Sequence, residues 1–531
     1  MNNLKTRNFL LIFFWVGLAA FSFTANAETY YVDKNHSSAD NANAGTEGKP
    51  WKTIQKGANV AIAGDTVYVK NGVYNEWVEV KNSGTPDKPI TFKAFPSHKP
   101  VIDGTGIDVP SSPRWYALFY SYLKSYITLD GFEVMNSDEV LIRMMGYVGN
   151  YVEGLIVRNC IVHDNSNVTR NGIHMCWVNN GLIEHNDVSK TGWNAISTES
   201  CSNTPIQYNY VHDNVPHAGI NVFPNTSEDP QQLYAGNHII GNIVTRLGNP
   251  GGAVYTRFQV DNFIINNLIY ENTGSAIVLD HNHTGPTYSH ESRTKILNNT
   301  IVDNGDYGFS TLNASHVTLK NNIIAYNGNT DIKIGSDLTM GATLDNNVYY
   351  ESMRISWGGS SYASLSSFQS SVGQDIHSLY AEPGFENRIN DDYSLKPGSP
   401  AIDAGADLSS EVLALAKDLV GTPRPQGSGW DIGAYEYNAG VAVKNSRIHT
   451  TSQSALFWYG SAIRYTVAEP SYVRISVYNH FGQIVGRLVN GEKDAGAYEI
   501  KWNGRGLANG SYLCRMETEN DCFAKKVFIM R

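Results

Sequence analysis

FIINNLIYENTG (residues 263–274) decides how this chain folds. Two apolar runs of three residues are split by Asn-Asn, and Asn-Thr-Gly closes the phrase. Strands this short are not stable alone, so the phrase needs copies of itself to pair with. The copies are LIVRNCIVHDN (155–165), GLIEHNDVSKTG (181–192), PIQYNYVHDN (205–214), IIGNIVTRLGN (239–249), KILNNTIVDNG (295–305), LKNNIIAYNGN (319–329) and LDNNVYY (344–350). Aligned on one asparagine, Asn159, Asn186, Asn209, Asn242, Asn267, Asn299, Asn322 and Asn347 follow one another at 27, 23, 33, 25, 32, 23 and 25 residues. ITLDGFEVMN (127–136) puts Gly131 at the same point. Short alternating strands with Asn/Gly turns at this period predict an all-β parallel solenoid, its coils stacked about 4.8 Å apart. The aligned asparagines are expected to form a hydrogen-bonded ladder inside the turns. A leucine-rich horseshoe has a similar period but needs a Leu-rich consensus, which is absent here.

The ends of the chain read differently. Lys5 and Arg7, an apolar run from Phe9 to Phe23 and then Ala25-Asn26-Ala27 describe a secretory signal peptide over 1–27, and so an exported, extracellular or cell-surface protein. A net charge of −10 with no basic stripe argues against nucleic acid as a partner. With 31 Tyr, 48 Gly and only 17% charged residues, the composition suits a loop-rich β-protein. Of five cysteines, Cys514 and Cys522 flank RMETEND, the expected tip of a hairpin, where a cross-strand disulfide is expected. Cys160, Cys176 and Cys201 lack a metal-ligand spacing and read as buried thiols.

With these residues in view, the chain resembles the right-handed parallel β-helix proteins of the pectate-lyase type over about residues 29–350. PWKTIQKGANVAIAGDTVYVKNGVYNE (50–76) is similar to their N-terminal cap, with an amphipathic helix over about 52–62 feeding the first strand. DDYSLKPGSPAIDAG and DLVGTPRPQGSGWDIGAYEY, within 391–437, resemble the tail that follows the helix in exported bacterial relatives. The solenoid with cap and tail is thus assigned to 28–437, and 438–450 to a linker. Residues 451–531 alternate with period two and turn every eight to twelve residues, the signature of a small immunoglobulin-like β-sandwich. Through GRGLANGSYLCRM that segment resembles the C-terminal sorting domain of the type IX secretion system, which implies outer-membrane secretion machinery as a partner. The other reading of the segment is a sugar- or protein-binding module.

A further strand recurs in each coil: GIHMCW, AISTES, GINVFP, AVYTRF, AIVLDH, GFSTLN and IKIGS. Alternation puts Ile173, Ile196, Ile220, Val254, Ile277, Phe309 and Ile332 inside. The outward face then carries two columns, one of His174, Ser197, Asn221, Tyr255, Val278, Ser310 and Lys333, the other of Cys176, Glu199, Phe223, Arg257, Asp280 and Leu312. Arg143 falls one coil before His174. Two coils carry insertions, PNTSEDPQQLYAG (224–236) and HNHTGPTYSHESR (281–293), and both follow this same strand. Insertions mapping to one face of a repeat protein build binding sites, which makes Tyr255 and Arg257 the expected floor of a groove.

The resemblance implies an extracellular polysaccharide as substrate, with β-elimination from a uronate as the leading chemistry. That reaction needs a cation for the carboxylate and its enolate-like intermediate, a base for the C5 proton and an acid for the leaving oxygen. Arg257 suits the first role, Tyr255 or His217 could serve as the base or the acid, and Asp280 suits the orientation of Arg257. Asn221, His174, Glu199 and His283 are candidate substrate-binding residues. Hydrolysis needs paired carboxylates about 5–9.5 Å apart, whereas Glu199 and Asp280 are three coils, roughly 14 Å, apart. Glu228, Asp229 and Glu291 in the insertions keep hydrolysis open, and a non-catalytic glycan-binding protein using the same groove is a third reading. The resemblance also admits calcium, without marking a ligand set. Convergence of Tyr255, Arg257, His217 and Asp280 on one point would favour an enzyme; an even spread would favour binding.

Overall fold

The structure is a computed structural model. It describes residues 27–438, apart from 111–115, 166, 216, 226–233, 249–250, 282–290, 337 and 352. In the C-terminal part it describes 455–529, apart from 460–461, 468–469, 480–482, 495, 502–506, 508–509 and 519–521. The expected signal peptide lies outside the described residues except for Ala27, and the linker except for Asn438.

The repeat folds as a right-handed parallel β-helix of three 12-stranded sheets. One coil shows the path. Phe263–Ile265 lies in the first sheet, Leu268–Tyr270 in the third and Ile277–Asp280 in the second, before Lys295–Leu297 returns to the first. The strands pair in parallel with their copies one coil on, as in Val254↔Ile277 and Ile264↔Ile296, and only Ser360–Tyr362 at the end of the second sheet runs antiparallel, to Ile355–Trp357. The inward Ile173, Ile196, Ile220, Val254, Ile277, Phe309 and Ile332 are all fully buried in one continuous core. At the N-terminal end, helix Ile54–Val60 is capped by the Thr53 side chain and buries Ile54, Gly57 and Ala58. The first strand, Thr29–Val32, precedes that helix, so the cap is inserted between two paired strands rather than leading into the sheet.

The asparagine ladder runs inside the solenoid. Asn242 accepts at Oδ1 from the backbone N–H (2.9 Å) and Nδ2 (3.0 Å) of Asn209. It donates from Nδ2 to Ile206 O (2.8 Å) and to Asn267 Oδ1 (3.1 Å). Every polar atom of its amide is thereby paired, which is what makes burying the row tolerable. The ladder continues through Asn299, Asn322 and Asn347 and ends on Asp375. Asn159 is not part of it. Its φ of 55° matches Gly131, His185, Tyr208, Gly241 and Asn266, the left-handed residue just before the ladder position, which in that coil is Cys160. A second, shorter ladder joins Asn272, Asn304 and Asn327.

Residues 381–437 pack along the outside of the coils. Phe385, Tyr393, Leu395, Leu419 and Ile432 cover Leu268, Val302, Ile323 and Val348. Four coils carry a doublet of asparagines, and the two members work on opposite sides of the wall. The second joins the internal ladder; the first, left-handed and facing out, holds the tail. Asn266 Nδ2 donates to Lys417 O (2.7 Å), Asn298 to Asp431 O (2.9 Å), Asn321 to Ala406 O (2.8 Å) and Asn346 to Ala404 O (3.3 Å). Asn298→Gly keeps the left-handed backbone accessible while deleting the side chain. It should cost about 1–3 kcal/mol, seen as a lower Tm together with faster protease nicking within 391–437; unchanged nicking would mean the apolar contacts alone hold the tail.

In the C-terminal part, Ala455–Tyr459, Ala462–Val467 and Gly496–Lys501 form one antiparallel sheet. Ser471–Tyr478, Ile484–Lys493, Gly510–Glu517 and Cys522–Ile529 form another. Tyr465 and Val467 of the first share a core with Val473, Ile475, Val477 and Met516 of the second, in keeping with a small sandwich. The expected disulfide is not formed: Cys514 is a buried free thiol opposite Lys525, while Cys522 lies opposite Glu517. The hairpin register therefore separates the two cysteines by three positions. Among the described residues no helix is long and apolar enough to cross a membrane.

Candidate functional site

The second sheet presents the two expected columns in the expected register: Arg143↔His174↔Ser197↔Asn221↔Tyr255↔Val278, and Cys176↔Glu199↔Phe223 followed by Arg257↔Asp280. Both insertions leave from the ends of its strands, Ala218–Phe223 and Ile277–Asp280. The outward face is more covered than alternation alone suggests. His174, Cys176, Asn221, Val278 and Asp280 are buried, whereas Tyr255 is half-buried and the Arg257 side chain is 41% exposed.

Four of the expected residues converge. The Tyr255 hydroxyl donates to Asp280 Oδ2 at 2.5 Å, and Arg257 Nε lies 3.5 Å from the same oxygen. The His217 ring meets the Tyr255 ring edge-to-face at 5.4 Å. His217 enters from the turn ahead of strand Ala218–Phe223, and its backbone N–H donates to Trp193 O (2.8 Å) one coil back. The glycines of NPGGAV make this approach possible. A Cβ on Gly251 would sit 2.0 Å from His217 O, and one on Gly252, at φ 146°, would press on Val278 and Tyr255.

The environment separates the roles of these groups. Burial, the hydrogen bond to Asp280 and that carboxylate's charge all raise the Tyr255 pKa, so the phenol keeps its proton. Burial and the nearby Arg257 charge lower that of His217, so the imidazole is neutral at pH 7. Its Nδ1 is buried without a hydrogen-bond partner among the described residues. Asn221, beside Tyr255 in register, donates to Asn194 Oδ1 (3.4 Å), and its own Oδ1 has no partner among the described residues.

His174 and Glu199 belong to a different cluster. Arg143 donates from Nη2 (2.7 Å) and Nε (3.3 Å) to His174 Nδ1. That nitrogen is therefore the acceptor, and the ring proton sits on Nε2, 3.2 Å from Glu199 Oε2 and 3.1 Å from Cys176 Sγ. Burial and Arg143 lower the His174 pKa. Burial acts to raise that of Glu199, but the bond from His174 and the Arg143 charge hold it below the usual range. Burial lifts the Cys176 thiol well above its ordinary value. The result is a buried relay, Arg143 to His174 to Glu199, and His174 does not line the groove. His174, Cys176 and Glu199 also place their donor atoms within 4.8 Å of one another, which their sequence spacing had not suggested. A nitrogen that carries a proton is no metal ligand, however, and the N, S and O donor mix is not the oxygen set calcium takes. His283, Glu228 and Asp229 lie outside the described residues, and Glu291 is paired with Arg293 at 3.4 Å.

Sequence reasoning passed over Trp193. It is 46% exposed and stacks on His217 with centroids 5.1 Å apart and planes 8° from parallel. Its place was legible: Trp193 stands three residues before the inward Ile196, as His217 stands before Ile220.

Two family matches cover most of the solenoid. Residues 30–215 match the family described as Pel9A-like, right handed beta helix region, and residues 232–372 the family described as Right handed beta helix region. Both describe the coils as right-handed β-helix, and the first adds a likeness to Pel9A. The chain is similar to the uncharacterized protein YwoF of Bacillus subtilis (strain 168), 26% identical over 442 residues, which is 70% of this chain and 91% of that protein. It is also 31% identical over 101 residues to pectate lyase PEL9 of Emericella nidulans, covering 19% of this chain and 23% of that enzyme. Among solved structures, pectate lyase Pel9A superposes with a TM-score of 0.49 at 16% identity, over 78% of this chain and 97% of that one. A rhamnogalacturonan lyase gives 0.47 at 16%, over 73% and 98%.

Proposed function

We propose that this protein is an exported polysaccharide lyase that cleaves a uronate-containing glycan by β-elimination. The observation that carries the reading is the meeting of Arg257 and Tyr255 on Asp280, with His217 against the Tyr255 ring, on the accessible part of the second sheet. Arg257 holds the substrate carboxylate through the part of its fork that Asp280 does not face, and stabilises the negative charge that develops as C5 loses its proton. His217, neutral at working pH, takes that proton. Tyr255, still protonated, supplies one to the departing glycosidic oxygen, and Asp280 keeps the phenol and guanidinium in place. A hydrolase would need a second carboxylate, and along the floor columns the nearest to Asp280 is Glu199, three strands away. The same reading takes residues 1–27 as a signal peptide and 451–531 as the segment recognised by outer-membrane secretion machinery.

Incubation with polygalacturonate, alginate and glycosaminoglycan polymers should release products with the ultraviolet absorbance of unsaturated uronides. Reducing ends without that absorbance would assign a hydrolase, and no release from any polymer a binding protein. The pH profile tests the base. Because the His217 pKa is lowered, kcat/KM should hold to mildly acidic pH and fall only with an apparent pKa below about 6.5. An acid limb above that value would remove His217 from the role.

A further inference from the structure

The surface next to the Arg257 floor is aromatic as well as charged. The column of residues leading into the second sheet runs Arg170, Trp193, His217 and Gly251, linked by Trp193 N–H to Arg170 O (2.7 Å) and His217 N–H to Trp193 O (2.8 Å). One side of the Trp193 ring lies on His217. On the other side, Arg170 is turned away, its guanidinium held by Glu139 through Nε at 2.7 Å and Nη2 at 3.2 Å. Among the described residues the indole, 46% exposed, thus has a supported face and an open one. Val168 and Val215, on the turns of the flanking coils, are 72% and 71% exposed. Beyond His217 the column switches to Gly251, which contributes no side chain of its own and lets the backbone pass close to His217 O.

We infer that Trp193 is a sugar-binding residue, stacking on the apolar face of a pyranose that belongs to the same glycan as the uronate held at Arg257. The inference rests on the function proposed above and specifies the substrate as an oligomer. A pyranose presents a face of C–H groups with partial positive charge, and an indole presents a face of partial negative charge. Trp193 and Tyr255 stand two coils apart, roughly 10 Å, a gap that one monosaccharide does not bridge and a linked chain does. The rigid ring, already packed on His217, loses little freedom on binding, which suits it as an anchor.

Trp193→Ala and Trp193→Phe test this on whichever of polygalacturonate, alginate or chondroitin sulfate the wild type cleaves. Trp193→Ala should raise KM about tenfold while kcat stays within about twofold, and Trp193→Phe should restore most of the loss. An unchanged KM, or a fall in kcat alone, would overturn the inference, the latter showing that Trp193 only steadies His217. If the wild type cleaves none of them, affinity gels containing each polymer separate the two ideas. Retardation of the wild type that Trp193→Ala loses would support the sugar site while the lyase reading fails. Equal retardation of both proteins, or none of either, would overturn it.

Discussion

Replacing Arg257 by alanine should lower kcat/KM by about a hundred- to a thousandfold and leave the melting temperature almost unchanged. The first part follows from position. Arg257 is the cation on the accessible floor, and a donor aimed at charge that develops in the transition state contributes on that scale. The second follows from exposure. The Arg257 side chain is 41% exposed, and its Nε lies 3.5 Å from Asp280 without a hydrogen bond, so the contact contributes about 1 kcal/mol or less. Arg257→Lys keeps the charge but loses the planar fork, so it should recover only part of the rate. Steady-state kinetics with thermal melts on the same preparations decide the matter. Loss of activity in step with a lost fold would make Arg257 a structural residue, and retained activity would move the site elsewhere.

Glu199→Ala should do the reverse, destabilising the protein by about 3–5 kcal/mol. It removes the acceptor at the end of the buried relay and leaves the proton of His174 Nε2 without its carboxylate. Replacing Arg143 and Glu199 together by Met and Leu should cost less than the single change, because the two charges that flank His174 are then removed together. Denaturant titration of the single and double variants measures the difference. A double variant as unstable as the sum of two single changes would show the residues to act independently. The two clusters share one sheet face yet answer to different measurements, kinetics for Arg257 and stability for Glu199.

That division was only half legible in the sequence. Alternation is a backbone property, so which side chains point outward in Val254–Arg257 followed from period two, and register down the columns followed from the repeat. The ladder asparagines were legible because one side chain can pair with its own copy only if that copy recurs. Where Cys160 takes the ladder place, the repeat offered a decoy, and Asn159 was aligned one residue out of step. Contacts across a face are set by rotamers and by what covers the face, and neither is written in the spacing. Thus the convergence of Tyr255, Asp280 and Arg257, and the meeting of His174 with Arg143, could be anticipated from neighbouring coils, whereas the parallel ring of Trp193 on His217 could not.

The paired asparagines have a consequence for how the molecule comes apart and how it evolves. In a bare solenoid each coil answers only to its neighbours, so ends fray one coil at a time and coils are gained or lost freely. Here a single returning segment is tied to four coils at once, through Asn266, Asn298, Asn321 and Asn346. Those four coils should open as one cooperative unit, visible in hydrogen exchange as a block with a shared opening energy. Among the described residues, no asparagine of an earlier coil makes such a bond to the tail, and the tail reaches back through packing such as that of Ile240 with Leu408, Leu415 and Trp430. Duplication or deletion of a coil is therefore tolerable ahead of Asn266, while behind it any change in coil number would put the tail out of step with its anchors.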